Sequence, residues 1–229
     1  FRPMEMPHIL LRLLPVLLWA VLGINGHQGP GPQFHAGLVH VTLYYETFCP
    51  DCQNYITTIL QEANERIRTI MNVTLIPYGN ARTDMAGRIT CQHGAKECTA
   101  NVWANCAIHQ YPSYDDHFKF VLCMEQAQDQ MLQYTQKCAT AAGMEYKLLA
   151  KCANGPEGHR LAVNAGKRTK QHRYVPWVLI NGKHNPKAEE SLARVVCAEY
   201  TGKKPAGCHK VVAEPATVRR PSHCNNTDA

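Results

Sequence analysis

The alternation of apolar and polar residues near position 40 predicts a strand followed by an amphipathic helix. Between residues 39 and 45, apolar side chains alternate with His40 and Thr42, which is the period-two pattern of a strand. Val73–Ile76 predicts a second strand. Between the two strands, apolar residues recur at helical spacing as Ile56, Ile59, Leu60, Ala63 and Ile67. This order is a βαβ unit, so its two strands are expected to be parallel.

The end of the chain predicts two further strands and a helix. Residues 174–180 form a short apolar run, and Asn181-Gly182 is typical of a two-residue hairpin turn. The partner strand is therefore expected to be only a few residues long. Asn185 and Pro186 are suited to the N-cap and first position of a terminal helix.

The stretch between these two units lacks strand patterns. We interpret residues 83–171 as a helical insertion. It contains six cysteines, which are Cys91, Cys98, Cys106, Cys123, Cys138 and Cys152. The predicted fold class is therefore α/β, with a thioredoxin-like core (βαβ, then ββα) over residues 38–200 and a cysteine-rich helical insertion.

The two ends of the chain differ from this domain. The apolar run Leu13–Ile24, preceded by Arg2 and Arg12, predicts a signal peptide over residues 1–26. The run is shorter than the ~20 residues of a spanning helix, so no membrane span is predicted. Residues 27–37 are interpreted as an N-terminal linker or propeptide. Residues 201–229, which lack periodicity, are interpreted as an exposed basic tail and a probable propeptide.

The composition narrows the class of protein. The 229 residues are 45% hydrophobic and 18% charged, which excludes a disordered or collagen-like chain. The net charge is +6, but the tail alone holds five bases and two acids. What remains is mildly basic and carries no basic cluster interleaved with aromatic residues, so nucleic-acid binding is not expected.

The cysteine content indicates an oxidising compartment. Eleven cysteines in 229 residues are far more than a reducing cytosol usually leaves unpaired. Two tripeptides, beginning at Asn72 and Asn225, satisfy the N-glycosylation pattern and agree with secretion. We therefore expect a secreted or lumenal glycoprotein.

Cys49-Pro50-Asp51-Cys52 is placed at the predicted end of a strand and start of a helix. A helix N-terminus stabilises a thiolate, so Cys49, expected at the exposed end of the motif, is the predicted nucleophile. Cys52, one turn further in and less exposed, is the predicted resolving cysteine. Asp51 partly opposes this effect, since a nearby carboxylate raises a thiol pKa. A static disulfide and a zinc site are the alternatives. Zinc is disfavoured because no second C-x2-C is present, so no metal site is predicted.

Pro176 is the second candidate at this site. It is either an ordinary edge-strand proline or, as we favour, a residue that faces Cys49 and shapes the groove for a substrate backbone.

The remaining cysteines leave their connectivity open. The spacings of Cys91, Cys98 and Cys106 exceed disulfide reach within one continuous helix. They therefore pair with other elements or lie on a segment broken at Gly94. Four bridges would leave one cysteine over, and Cys224 is the candidate for a link between two chains. The expected structural set is Cys91, Cys98, Cys106, Cys123, Cys138, Cys152, Cys197 and Cys208.

Residues 91–106 match the pattern C-Q-H-G-x2-E-C-x2-N-x4-C without a mismatch. In this pattern the chain resembles the gamma-interferon-inducible lysosomal thiol reductase family, and the resemblance covers about residues 38–200. The matching signature residues are Cys91, Gln92, His93, Gly94, Glu97, Cys98, Asn101 and Cys106. We expect His93 and Glu97 to hold the insertion together rather than to take part in catalysis.

The resemblance implies a thiol reductase that reduces protein disulfides at acidic pH in endosomes and lysosomes, aiding proteolysis and class II antigen processing. It implies Cys49 and Cys52 as the redox pair, glycans on Asn72 and Asn225, and sorting by a receptor that binds those glycans. It also implies a disulfide-linked precursor dimer. We expect a small thiol as electron donor and no cofactor.

Two alternatives stay open at this stage. One is an oxidase or isomerase on the same fold, which a more oxidising reduction potential would indicate. The other is a secreted, disulfide-stapled binding protein with an inert Cys49–Cys52 bridge.

Overall fold

The computed structural model describes residues 37–213 and 223–226. The strands are β1 (Val39–Tyr45), β2 (Met71–Pro77), β3 (Arg82–Thr83), β4 (Ile89–Thr90), β5 (Tyr174–Val175), β6 (Trp177–Ile180), β7 (Lys183–His184) and β8 (Cys224–Asn225). The helices are α1 (Pro50–Asn54), α2 (Gln61–Ile67), α3 (Ala95–Gln110), α4 (Tyr114–Gln126), α5 (Met131–Ala141), α6 (Tyr146–Ala153), α7 (Pro156–Arg168), α8 (Pro186–Glu190), α9 (Leu192–Glu199) and α10 (Ala206–Ala213). A π-helical segment (Tyr55–Leu60) joins α1 to α2, and short 3-10 turns cover Arg68–Ile70 and Gln128–Gln130.

The central sheet has the strand order β2-β1-β6-β7. β1 runs parallel to β2, with Val41 opposite Val73, and antiparallel to β6, with Leu43 opposite Val178. The parallel pair encloses the helical run between β1 and β2, as a βαβ crossover requires. The predicted thioredoxin-like order, βαβ followed by ββα, is confirmed.

The helical run after β1 buries most of its predicted apolar stripe in the same core cluster as β1 and β2, and Ile59 is half-buried. Ile56, Leu60, Ala63 and Ile67 are all at most 1% exposed. Because the run begins at Pro50, the sequence between Cys49 and Cys52 lies at its N-terminus.

The turn between β6 and β7 has the predicted hairpin geometry. Asn181 and Gly182 both have positive φ, +49° and +80°. A two-residue turn with two left-handed residues matches the twist of the flanking strands, which explains why Asn-Gly is found there.

The insertion consists of helices α3 to α7 and has a core of its own. Phe120, Met131 and Leu149 are among its fully buried side chains. One detail differs from the sequence expectation, because β3 and β4 form a small antiparallel hairpin in front of α3. Strands of two residues are too short to show a period-two pattern, so the sequence could not indicate them.

The C-terminal region contributes more to the core than predicted. The expectation that everything after Tyr200 is an exposed extension is wrong, since α10 buries Cys208 and Val211. A disulfide joins Cys208 to Cys197 of α9. An eight-residue helix with two buried apolar positions is too short for its periodicity to be recognised.

The predicted signal peptide over residues 1–26 and nearly all of the linker over 27–37 lie outside the described residues. Within the described part of the chain, none of the helices combines the length and the apolar character needed to cross a membrane.

Candidate active site around Cys49 and Cys52

Cys49 lies in the short connection between strand β1 and helix α1. It is the N-cap of α1, and the main-chain N–H of Cys52 donates to its Sγ at 3.4 Å. A main-chain N–H that donates to the sulfur, together with the positive end of the helix dipole, stabilises a thiolate at this position. The structure therefore brings Cys49 to the place where a cysteine nucleophile is activated.

Cys52 lies one turn further into the helix and is the free cysteine among the described residues. It is 0% exposed. Burial raises the pKa of its thiol well above the usual value, and the nearby Glu46 carboxyl raises it further. The structure thus holds Cys52 as a buried thiol one helical turn from Cys49.

Cys49 itself is bonded to Cys224, with the two Cα atoms 6.2 Å apart. This differs from the sequence expectation, which left Cys224 over for a link between chains. The physical reason is the placement of residues 223–226, which pair with β5 beside Cys49. It also explains why Cys49, expected at the exposed end of the motif, is 0% exposed. The inert Cys49–Cys52 bridge of the alternative hypothesis is not the bond that forms here.

The tail reaches Cys49 as a strand. β8 pairs antiparallel with β5, with Cys224 opposite Val175 and Asn225 opposite Tyr174. The next peptide bond, Val175–Pro176, is cis, and Pro176 is buried. Pro176 therefore directly follows the residue that is paired with Cys224, and its role in a substrate groove stays a prediction.

The other eight cysteines form four bridges among themselves, and each lies in the set expected to be structural. The pairs are Cys91–Cys98, Cys106–Cys152, Cys123–Cys138 and Cys197–Cys208. The alternative of a chain broken at Gly94 holds for the first pair, since Gly94 has φ +84° and reverses the chain between Cys91 and Cys98.

A cluster of buried carboxyls lies behind the redox motif. Glu46, at the end of β1, and Glu97, on α3, are both 0% exposed, and Glu125 on α4 is 1% exposed. Burial raises the pKa of Glu46 to about 8, with Glu97 adding to the shift. Burial likewise raises the pKa values of Glu97 and Glu125. These groups therefore hold protons at pH values where an exposed glutamate has lost its own.

His93 connects this cluster to the surface. Its Nδ1 lies 2.5 Å from Glu97 Oε2 and 3.5 Å from Glu46 Oε1. These contacts link His93 to Glu97 and to the end of β1, and the purely structural role expected for His93 and Glu97 stays a prediction. The side chain of His93 remains 31% exposed.

Other signature residues hold the loop around the motif. Asn101 Oδ1 accepts the main-chain N–H of Thr47, two residues before Cys49. Gln92 donates through Nε2 to the main-chain oxygen of Asn225 in the tail. The signature segment thus supports both the motif and the segment bonded to it.

Two groups of side chains bring possible metal ligands together near the motif. Among the described residues, Glu46 with Cys49 and Cys224, and Glu46 with His93 and Glu97, have ligand atoms within 4.8 Å of one another. The first set has its sulfurs in a disulfide. In the second set, burial favours the neutral carboxyl groups of Glu46 and Glu97, which are poor cation ligands. Neither group fits a metal ion well in this state.

Sequence reasoning missed two residues of the site. Asn80 is 1% exposed, donates through Nδ2 to the main-chain oxygen of Cys224, and gives its main-chain N–H to Glu46 Oε2. Glu46 could have been suspected, because an acidic residue ends an apolar strand directly before the cysteine motif. Asn80 gave no local signal, since its partners are distant in sequence.

The predicted glycan sites lie in different environments. Asn225 is exposed on β8 beside Cys224. Asn72 is half-buried on β2, where its Nδ2 lies 3.3 Å from His40 Nδ1.

Solved structures resemble this fold. A disulfide bond oxidoreductase (DsbG) from Mycobacterium tuberculosis superposes with a TM-score of 0.57 at 15% identity, covering 79% of this chain and 92% of that one. BdbD from Bacillus subtilis gives a TM-score of 0.54 at 12% identity, covering 74% and 91%. At these identities the likeness establishes the thioredoxin-like fold with its helical insertion. The fold and the C-x2-C motif at the start of α1 together define the class of thioredoxin-like proteins that carry a redox motif.

The sequence comparisons then specify the family. Residues 40–142 match the family model described as gamma interferon inducible lysosomal thiol reductase. The gamma-interferon-inducible lysosomal thiol reductase of Carassius auratus is 34% identical over 207 residues, which is 85% of this chain and 80% of the relative. The mouse protein of the same name is 33% identical over 200 residues, covering 83% and 79%. The chain belongs to the gamma-interferon-inducible lysosomal thiol reductase family and is a disulfide reductase.

Proposed function

We propose that this reductase acts on disulfide bonds of unfolding proteins at acidic pH in endosomes and lysosomes, with Cys49 as the attacking and Cys52 as the resolving cysteine. The observation that carries the proposal is the bond from Cys49 to a cysteine on an extended segment, one helical turn from the free thiol of Cys52. That arrangement has the form of the mixed disulfide through which a dithiol reductase passes.

The proposed reaction takes two exchange steps. The Cys49 thiolate attacks one sulfur of the substrate disulfide, and the other sulfur leaves as a thiolate that takes up a proton. Cys52 loses its proton and attacks Cys49 Sγ, which releases the first substrate sulfur as a thiol and forms a Cys49–Cys52 disulfide. Two equivalents of a small thiol then reduce that disulfide and are oxidised to their own disulfide, so no bound cofactor is required.

The buried carboxyls support an acidic working range. The pKa values of Glu46, Glu97 and Glu125 are all raised by burial. A carboxyl whose pKa is raised by folding stabilises the folded chain fully below its unfolded value of 4.5, and that contribution is lost as the pH rises through the folded value. For Glu46 this window runs from 4.5 to about 8.

The relatives support the compartment and the wider role. Those from Carassius auratus and mouse carry the word lysosomal in their names. In such a compartment, reduction would unfold proteins for proteolysis and class II antigen processing. Glycans on Asn72 and Asn225 would serve a sorting receptor. A disulfide-linked precursor dimer through Cys224 requires that the Cys49–Cys224 bond first be open.

The test is the reduction of a denatured, disulfide-bonded protein by a small thiol at about pH 5 and about pH 7. We expect turnover at acidic pH that is lost in Cys49→Ser and strongly reduced in Cys52→Ser, with near-UV circular dichroism confirming that each variant folds. Absence of turnover in the folded parent at both pH values would contradict the proposal.

A measured reduction potential separates this proposal from an oxidase or isomerase. A value near that of thioredoxin, about −270 mV, fits a reductase, whereas one near −120 mV indicates an oxidase.

A further inference from the structure

The tail segment His223–Asn226 is held by more than its disulfide. Its main chain pairs with β5, and the N–H of Asn226 donates to the oxygen of Arg173 at 3.0 Å. Two side-chain amides and one aromatic ring then contact three successive tail residues. A segment held at each position in turn fills a cleft shaped for an extended peptide.

The first element of the cleft is a pair of amides that contact main-chain oxygens. Asn80 Nδ2 donates to the oxygen of Cys224 at 3.0 Å, and Gln92 Nε2 donates to the oxygen of Asn225 at 3.0 Å. Asn80 Nδ2 also donates to Gln92 Oε1 at 2.6 Å, which links the two amides. Because every peptide offers these oxygens, the contacts do not depend on the side chains of the bound segment.

Asn80 is fixed before any peptide arrives. Its Oδ1 lies 3.1 Å from His172 Nε2, and its main-chain N–H donates to Glu46 Oε2 at 2.8 Å. A side chain already held by the protein loses little conformational freedom on binding, which strengthens the contact it makes.

The second element is a ring platform beside the residue that precedes the cysteine. The imidazole of His223 stacks on Tyr174, with ring centroids 3.9 Å apart and an interplanar angle of 22°. Tyr174 is itself held, because its hydroxyl donates to Glu189 Oε2 at 3.1 Å and its edge contacts Trp177. A fixed ring at this point favours a flat side chain over an aliphatic one.

We propose that His223–Asn226 is a tethered substrate mimic, and that Asn80, Gln92 and Tyr174 form a binding cleft for extended peptides whose reacting cysteine follows a ring-bearing residue. This inference rests on the proposed function, because it places the cysteine of the peptide on Cys49. Asn80 and Gln92 provide affinity for any peptide main chain, whereas Tyr174 provides the preference for a ring. The tail occupies the cleft until its bond to Cys49 exchanges.

The cleft is tested in the full chain carrying Cys224→Ser and Cys52→Ser, which frees Cys49 and traps its adducts. The probes are two symmetric peptide disulfides, with tyrosine or alanine before the cysteine, and a small aromatic disulfide without a peptide chain. We expect Gln92→Ala to slow the capture of both peptides about five- to tenfold and to leave the small disulfide unaffected. Gln110→Ala is the matched control, since it removes a hydrogen bond from a side-chain amide to a main-chain oxygen within the insertion.

Tyr174 has a separate readout. The parent is expected to capture the tyrosine peptide several-fold faster than the alanine peptide. Tyr174→Ala should abolish that preference, and Tyr174→Phe should keep it. Equal capture of both peptides by the parent, or rates for peptides and small disulfide that change in parallel, would overturn the cleft.

A measurement without thiol chemistry keeps the two proposals separate. In the same Cys224→Ser chain, amide hydrogen exchange at residues 224–226 reports whether the tail occupies the cleft. We expect protection that falls in Gln92→Ala and Tyr174→Ala but not in Gln110→Ala. A Cys49 that reacts with none of the disulfides would refute the proposed function, whereas tail protection unchanged by these substitutions would refute the cleft.

Discussion

The redox centre and the helical insertion both bury cysteines, but they surround them differently. In the insertion, Cys106 and Cys138 lie in bridges packed among apolar side chains such as Phe120 and Leu149. At the redox centre, a disulfide lies beside the free thiol of Cys52 and a buried carboxyl.

This difference shows how one residue type serves two purposes. A disulfide can exchange only when a thiolate reaches one of its sulfurs, and among the described residues the free thiol is one turn from Cys49. Among the described residues, no free thiol lies beside the bridges of the insertion. Without a neighbouring thiol the insertion bridges are expected to stay static, whereas the bond at the redox centre is expected to exchange.

The largest expected effect concerns the order in which the bridges open. Under limiting small thiol, Cys224 should become free for alkylation at least tenfold faster than Cys106 or Cys138, because Cys52 attacks from within the chain. Differential alkylation and mass spectrometry measure the order. Cys52→Ser should remove most of that advantage. Insertion bridges that open first would refute the contrast between the two regions.

The next effect is on stability. Replacing Cys123 and Cys138 by alanine opens a bridge that spans 15 residues, which should lower the free energy of unfolding by about 3 kcal/mol. The reactivity of Cys49 in the folded variant should be unchanged. Urea unfolding followed by fluorescence measures the first quantity, and the rate of adduct formation measures the second. A large loss of Cys49 reactivity would show that the two regions are not independent.

A further effect is the pH dependence of stability from Glu46. Because burial raises its pKa to about 8, the free energy of unfolding should be highest near pH 4.5 and fall as the pH rises through about 8. Each pKa unit corresponds to about 1.4 kcal/mol. Glu46→Gln should flatten the profile, whereas the exposed control Glu199→Gln should not. Denaturant unfolding across this pH range measures the free energy of unfolding of the parent and of both variants. If the parent and Glu46→Gln lose stability equally with rising pH, Glu46 is not the group responsible.

The smallest effect is on tail docking in the Cys224→Ser chain. Burial lowers the pKa of His223, whose ring faces Tyr174, Glu189, His184 and Asp51. Protonation therefore opposes docking, which should be strongest above the ordinary value of 6.5 and weaken a few-fold as the pH falls below it.

The control for this effect keeps the ring and removes its titration. His223→Phe should remain stacked on Tyr174 and lose the pH dependence, as measured by amide hydrogen exchange at residues 224–226. The same pH dependence in both chains would assign the effect to another group.

Much of the core was predictable because its signals are local. The alternation in β1, the apolar stripe beyond Ile56 and the Asn181-Gly182 turn each carry their structure within a few residues. The placement of Cys49 at a helix start followed from the same patterns.

The rest of the site depends on contacts between residues far apart in sequence. Cys224 joins Cys49 across 175 residues, and Asn80 contacts the tail across 144 residues. No spacing or periodicity encodes such pairs. The sequence therefore placed Cys49 at the start of a helix but could not show which segment is bonded to it.

The central claim is that Cys49 attacks disulfides of protein substrates and that Cys52 resolves the product. The most direct measurement is mass spectrometry of the folded chain carrying Cys52→Ser and Cys224→Ser, in which Cys49 is free, after incubation with a denatured, disulfide-bonded protein at about pH 5. The account predicts a substrate cysteine bonded to Cys49 and released by added small thiol, with the four insertion and C-terminal bridges intact. An adduct at a different cysteine, or no adduct at Cys49 in this folded chain, would contradict it.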